Sequence, residues 1–167
     1  MSLDNIQLTP FLVQNLYTKT LVELNNVQEV LPEKTATHIP CLGQNARNIL
    51  LLVNEKEAPF ASDDDLKLLV GILTACKLSL ADVALVNFNK NQMLSYEQLM
   101  DYFNPGLVIL FGVLPKDLSF PLHFPNYQLQ QYNNQTFLCA PSLKMLGAVT
   151  EEKKKLWNSL QKHFFKP

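Results

Sequence analysis

Apolar and polar positions change their rhythm along this chain near Asn48. Upstream, Phe11, Leu12, Leu16, Leu21 and Leu24 recur at near-helical spacing, with Tyr17 on the flank. Thr9 supplies an N-cap and Pro10 occupies the first helical position, where its missing N–H costs nothing. A helix over about 9–24 is predicted. Pro32, Pro40 and Gly43 then bracket an irregular stretch in which 35–39 fits an edge strand, a place that tolerates proline. Residues 1–47 thus read as an N-terminal helix and an irregular connector, and 48–167 as a separate α/β domain.

From Asn48 onward, strand-like and helix-like patterns alternate. The run 49–53 is apolar without a break, as a strand covered on both faces requires. Ser62 caps a helix whose first turn holds Asp63, Asp64 and Asp65, which suit the positive end of the helix dipole, and whose inner face is Leu66, Leu69, Leu73 and Cys76. A second strand is predicted over 82–87. The following helix opens at Ser95 with Gln98 three residues on, the spacing of a capping box, and runs to about Tyr102. The third strand is 107–111. Pro115, Pro121 and Pro125 mark a loop, and short extended stretches at 126–130 and 136–139 flank the turn residues Asn133 and Asn134. The last helix, about 150–165, starts at Thr150 and buries Leu156, Trp157, Leu160 and Phe164. Such alternation predicts a three-layer α/β/α domain around a largely parallel sheet of about four strands. Ligands of such sheets favour the carboxyl ends of the strands, here the loops after Val53, Val86, Phe111 and Cys139.

The 167 residues suffice for one domain with a proper core. A hydrophobic fraction of 47% against 17% charged residues lies on the folded side of the disorder boundary. The net charge of -1 lacks the basic excess of a protein that grips nucleic acid by many phosphates. Cys41, Cys76 and Cys139 lack the close spacing of a zinc site and read as buried free thiols, so no metal or cofactor is expected. No basic start leads into an apolar stretch, and no run approaches the ~18 apolar residues of a membrane span, so a cytoplasmic protein without membrane contact is expected.

The loops at the strand ends carry a resemblance. Glu57-Ala58-Pro59 after the first strand, Asn87 at the end of the second, Asn104-Pro105-Gly106 leading into the third with Gly112 closing it, and Ala140-Pro141-Ser142 after the last resemble, in that order, the motifs of the uracil-DNA glycosylase superfamily. The match covers about residues 48–165. It implies a uracil-DNA glycosylase-like fold, and a mechanism in which a flipped uracil is held against a side-chain amide while water attacks the sugar carbon. By this resemblance Glu57 would activate the water, Asn87 would read the base, and Ser142 would follow the catalytic histidine. The histidine slot, however, holds Ala140. Loss of such a donor typically costs about 3–4 kcal/mol, or roughly 10²–10³ in rate. Asn54 and Phe60 stand where the family has glycines, and their side chains crowd the approach of a base or phosphate.

Among degenerate members of this superfamily, the chain is most similar to the psi-subunit family of bacterial DNA polymerase III. The similarity rests on the leading helix, the eroded loops, and an ending of Ala140-Pro141-Ser142-Leu143, Leu156-Trp157 and Phe164-Phe165-Lys166-Pro167. It implies a non-catalytic adaptor of the replication machinery, with clamp-loader subunits and a chi-like subunit as partners and weak or indirect DNA contact. An active or residually active uracil-DNA glycosylase is the alternative, and a single-strand DNA-binding module without catalysis a third. For the helix over 9–24 two readings stand. Phe11, Leu12, Leu16, Tyr17 and Leu21 either occupy a partner's groove or pack on the chain's own sheet. The residues themselves also have plain readings: Glu57 as an exposed loop carboxylate, Asn87 as a strand-end cap, and His38, His123 and His163 as surface or boundary histidines. Lys153, Lys154 and Lys155 read as a solvated helix face paired with Glu151 and Glu152.

Overall fold

The structure is a computed structural model that describes residues 38–120 and 122–165. The predicted helix over 9–24, with Phe11, Leu12, Leu16, Tyr17 and Leu21, lies outside the described residues, as does the connector up to residue 37. The strands are β1 (Ile49–Val53), β2 (Val83–Asn87), β3 (Leu107–Phe111), β4 (Leu129–Tyr132) and β5 (Gln135–Ala140). The helices are α1 (Asp63–Ala75), α2 (Tyr96–Phe103), α3 (Leu143–Ala148) and α4 (Thr150–Phe164).

The strands form one sheet in the order β2-β1-β3-β5-β4. Four of them run parallel, with Ile49 opposite both Val83 and Leu107, and Phe111 opposite Ala140. The fifth, β4, pairs antiparallel with β5 at the edge, so the sheet is mixed and one strand larger than the expected four. The sequence of β4, Leu-Gln-Gln-Tyr, is half-exposed and polar in the middle, which leaves no apolar run to announce it. Asn133 and Asn134 join β4 to β5 with φ of 52° and 61°. Two left-handed residues in a row match the twist of a tight hairpin, and asparagine is among the few side chains that adopt that conformation readily.

Alternation along the buried strands splits the core in two. Ile49, Leu51 and Val53 face Leu69 and Leu73 of α1 and Leu156 and Leu160 of α4. Leu50 and Leu52 face the opposite way, toward Leu99, Met100 and Phe103 of α2 and the rings of Phe120 and Phe124. Ser62 caps α1 by accepting from the Asp65 N–H, and Ser95 and Gln98 close the expected capping box on α2. The outer edge of β2 is covered by the chain itself: Leu42 and Leu85 exchange both backbone hydrogen bonds at 2.8 Å. Gly43 makes this approach possible, since at φ of 108° its missing Cβ would stand 2.1 Å from the Val83 carbonyl oxygen. The compact unit that holds the sheet accordingly starts at Ile39. No helix among the described residues is long and apolar enough to cross a membrane.

The C-terminal region differs from expectation in two ways. A separate short helix, α3, precedes the last one, capped by Ser142 and ended at Val149 in extended backbone. On α4 the buried residues are Leu156, Ser159 and Leu160, while Trp157 is half-buried and lies at the margin of the core. Leu160→Ala should therefore lower stability by about 2–5 kcal/mol, and Trp157→Ala by less than Leu160→Ala, as read by urea denaturation of the two variants.

Candidate functional site

The loops that follow β1, β2, β3 and β5 gather at the carboxyl edge of the sheet. A cleft of about 540 Å³ opens there, walled by Asn54, Glu57 and Ser62 on one side and by Phe111, Ser142 and Lys144 on the other. Glu57 is exposed at its wall, and its backbone N–H donates to the Glu55 carboxylate at 3.0 Å. Ser142 reaches the same cleft while its hydroxyl oxygen accepts from the Met145 N–H at 3.4 Å, the cap of α3. The structure thus brings Glu57 and Ser142 together on one concavity.

Asn87 and Ala140 do not line it. The Asn87 side chain, 1% exposed, lies beneath the loop that leaves β1. Its amide nitrogen donates to the backbone carbonyls of Glu55 at 2.8 Å and Ala58 at 3.1 Å. Its amide oxygen accepts from the backbone N–H groups of Glu55 and Asn89, both at 3.1 Å. The amide exchanges two bonds with Glu55, as a neighbouring strand would, and so prolongs the β1–β2 ladder past the last pair, Val53 and Asn87. All four of its hydrogen-bonding positions are used inside the chain, since an amide offers two donors and two lone pairs. Ala140, 4% exposed, belongs to the core cluster that includes Leu143 and Leu146 of α3. Its carbonyl accepts from the Gly112 N–H at 3.0 Å. Gly112 has φ of 66°, and a Cβ there would come within 3.0 Å of the Ser142 Cβ, so the turn after β3 packs directly on the start of α3.

Other asparagines complete this arrangement. Asn89 donates to the Asn54 side-chain oxygen at 2.8 Å, Asn54 reaches the Gly112 carbonyl at 3.4 Å, and Asn91 donates to the Asn87 carbonyl at 2.8 Å. Lys90 adds a bond to the Lys56 carbonyl at 2.7 Å. Phe60 packs against the core beneath the loop. The loop that a ligand at the strand ends would meet is therefore held along its length by β2 and the 3₁₀ turn that follows. Sequence reasoning singled out Asn87 alone. Asn87-Phe88-Asn89-Lys90-Asn91, with three asparagines in five residues, was the visible signal of a polar turn after the strand.

The cleft is acidic at its rim, where Glu55, Glu57, Asp64 and Asp65 stand against Lys56 and Lys144. Among the described residues no cluster of His, Cys, Asp or Glu has the makings of a metal site. Cys76 and Cys139 are free and buried, and burial pushes both thiols up to about 11, which keeps them un-ionised at neutral pH. Cys41 is free and half-buried, its thiol also raised by burial. His38 and His123 are exposed. His163 is half-buried, its ring 4.9 Å from that of Phe164, and burial lowers its pKa. On α4, Lys154 and Lys155 pair with Glu151 and Glu152 at 2.9 and 2.7 Å. Glu152 also accepts from the Tyr127 hydroxyl, which ties the start of the hairpin to the last helix.

These features define an α/β protein with a mostly parallel five-stranded sheet and a cleft at the carboxyl ends of its strands. Comparison with protein-family models gives no match, and comparison with curated proteins gives none either. Within the site, Asn87→Ala should destabilise the domain by about 1–3 kcal/mol, the cost of stranding a buried hydrogen-bond partner. The backbone amides of Glu55 and Asn89 should lose hydrogen-exchange protection in that variant while those of β3 keep theirs.

Proposed function

We propose that this chain is a non-catalytic adaptor of the bacterial replication machinery, a cytoplasmic protein with a degenerate uracil-DNA glycosylase-like domain of the psi-subunit kind. The observation that carries this reading is the internal use of the Asn87 amide, which is bonded on all sides to Glu55, Ala58 and Asn89. A base-reading amide must have a donor and an acceptor left for its ligand. Ala140 adds to it, being an apolar core residue in the slot where the resemblance puts a charged donor. The cleft rim, with four carboxylates beside two lysines, repels the phosphates that a glycosylase must approach. Clamp-loader subunits and a chi-like subunit are the proposed partners, with Phe11, Leu12, Leu16, Tyr17 and Leu21 serving the clamp loader.

One observation favours the enzymatic alternative: Glu57 and Ser142 share the wall of an open cleft at the strand ends. The two readings part in an excision assay. Excess protein incubated with uracil-containing single- and double-stranded DNA should leave no alkali-labile sites, and its dissociation constant for DNA should be no tighter than the ~10⁻⁴–10⁻⁶ M of non-specific binding. Multiple turnovers that vanish in Glu57→Ala would establish the glycosylase instead. In a pull-down with purified clamp-loader subunits, the full chain should be retained and the double variant Leu12→Asp, Leu16→Asp lost, with the thermal midpoints of the two within a few degrees. Retention of the variant would move the interface away from the N-terminal segment.

A further inference from the structure

On the face of the domain formed by α1 and α4, an apolar groove of about 390 Å³ lies open between the two helices. Leu68 and Ile72 of α1 form one wall, and Trp157 and Leu160 of α4 the other. Gly71 and Ala75, one helical turn apart, leave the backbone of α1 open to approach from the groove, and a Cβ on Gly71 would meet nothing within 4 Å. The charges that line the groove are of one sign. Lys67 stands on the α1 side and Lys153 on the α4 side, with no acidic residue beside them. Lys153 has no ion pair among the described residues, whereas its neighbours Lys154 and Lys155 are taken by Glu151 and Glu152. Lys67 lies 3.7 Å from Asp64, but the two side chains are 79% and 97% exposed, and a pair so open to water holds its members weakly. A third lysine, Lys77, sits over the Phe165 ring at 5.9 Å, and that ring is 6.1 Å from the ring of Trp157.

We propose that this groove receives an acidic amphipathic helix of a partner protein. From Leu68 to Ala75 the groove follows α1 for two turns, about 10 Å at 1.5 Å per residue. That length accommodates the apolar side chains that a docked helix presents at i, i+3 or i+4, and i+7. Trp157, half-buried, supplies the kind of aromatic surface on which interface energy concentrates, and the bare backbone at Gly71 lets the incoming helix lie close. Carboxylates on the two flanks of its apolar stripe would then meet Lys67 on one side and Lys153 on the other. A phosphate backbone would satisfy the lysines and leave the apolar floor unused, so the combination selects a peptide over a nucleic acid. This inference stands apart from the functional reading of the strand-end cleft and of the N-terminal segment.

Trp157 is the chain's single tryptophan, so its emission reports on the groove directly. The full chain is titrated with a tryptophan-free synthetic helix of about four turns, with leucines along one face and glutamates on both flanks, and with a twin in which lysines replace the glutamates. The glutamate peptide should change the emission saturably below millimolar concentration, weaken as salt is raised, and bind about tenfold or more tightly than the twin. Gly71→Gln, which places a long polar side chain in the groove where the domain has room for it, should weaken that binding about tenfold with a thermal midpoint no lower than that of the unaltered chain. The double variant Lys67→Glu, Lys153→Glu should reverse the preference between the two peptides. No saturable response below millimolar concentration, or equal affinity for the two peptides, overturns the proposal. So does binding that both Gly71→Gln and the double charge reversal leave unchanged.

Discussion

The rest of the fold depends on the double burial of β1. Ile49, Leu50, Leu51, Leu52 and Val53 are each at most 4% exposed, and each alternate side chain belongs to a different core. A strand so placed cannot slip by one residue without exchanging its two apolar sets, so its register fixes that of β2 and β3 on either side. Fully burying such side chains contributes about 1.5–3 kcal/mol apiece, and β2 and β3 on either side are buried as completely. The exit point of β1 is fixed along with its register. Where β1 ends, at Val53, the chain enters the loop that forms one wall of the strand-end cleft.

At that exit the ladder is continued by a side chain. The Asn87 amide takes the place of backbone opposite Glu55 and satisfies groups that would otherwise be buried without partners. The same four bonds that order the loop remove the amide from any ligand. Stability and recognition therefore compete for one functional group, and here stability has it. Gly112 and Ser142 act similarly on the other wall, where the turn after β3 lies so near the cap of α3 that a Cβ on Gly112 would crowd Ser142 at 3.0 Å. A cleft remains, but its floor is structural and its rim is acidic.

Much of this was legible in the sequence. The unbroken apolar runs at 49–53 and 107–111 mark strands covered on two faces, and the strands end where those runs end. Ser62 and Ser95 mark helix starts because their hydroxyls bond the free N–H groups of the first turn. Asn133 and Asn134 mark the hairpin because few other residues adopt positive φ readily. What escaped was set by neighbours distant in sequence. The extended stretch expected at 126–130 stands at Leu129–Tyr132 instead, because its own residues carry no period and pairing with β5 decides where the strand lies. Trp157 looks like core by type and spacing, but the core beneath α4 is filled by Leu156 and Leu160, and the indole is left at the groove. At the site, the positions of Glu57, Asn87, Ala140 and Ser142 near the strand ends followed from topology. That Asn87 faces its own chain while Glu57 and Ser142 face the cleft depends on side-chain geometry that no spacing rule contains.

The amide at the end of β2 belongs to the fold, with both donors and both lone pairs bonded within the chain. The most direct measurement follows the Asn87 side-chain amide resonances by NMR while uracil, and then a uracil-containing oligonucleotide, is added. Its two amide protons should be protected from solvent exchange, with shifts that do not move as either ligand approaches millimolar concentration. Saturable shifts of those two resonances, together with release of the Glu55 and Asn89 backbone amides, would show that Asn87 reads a base and would contradict that assignment to the fold.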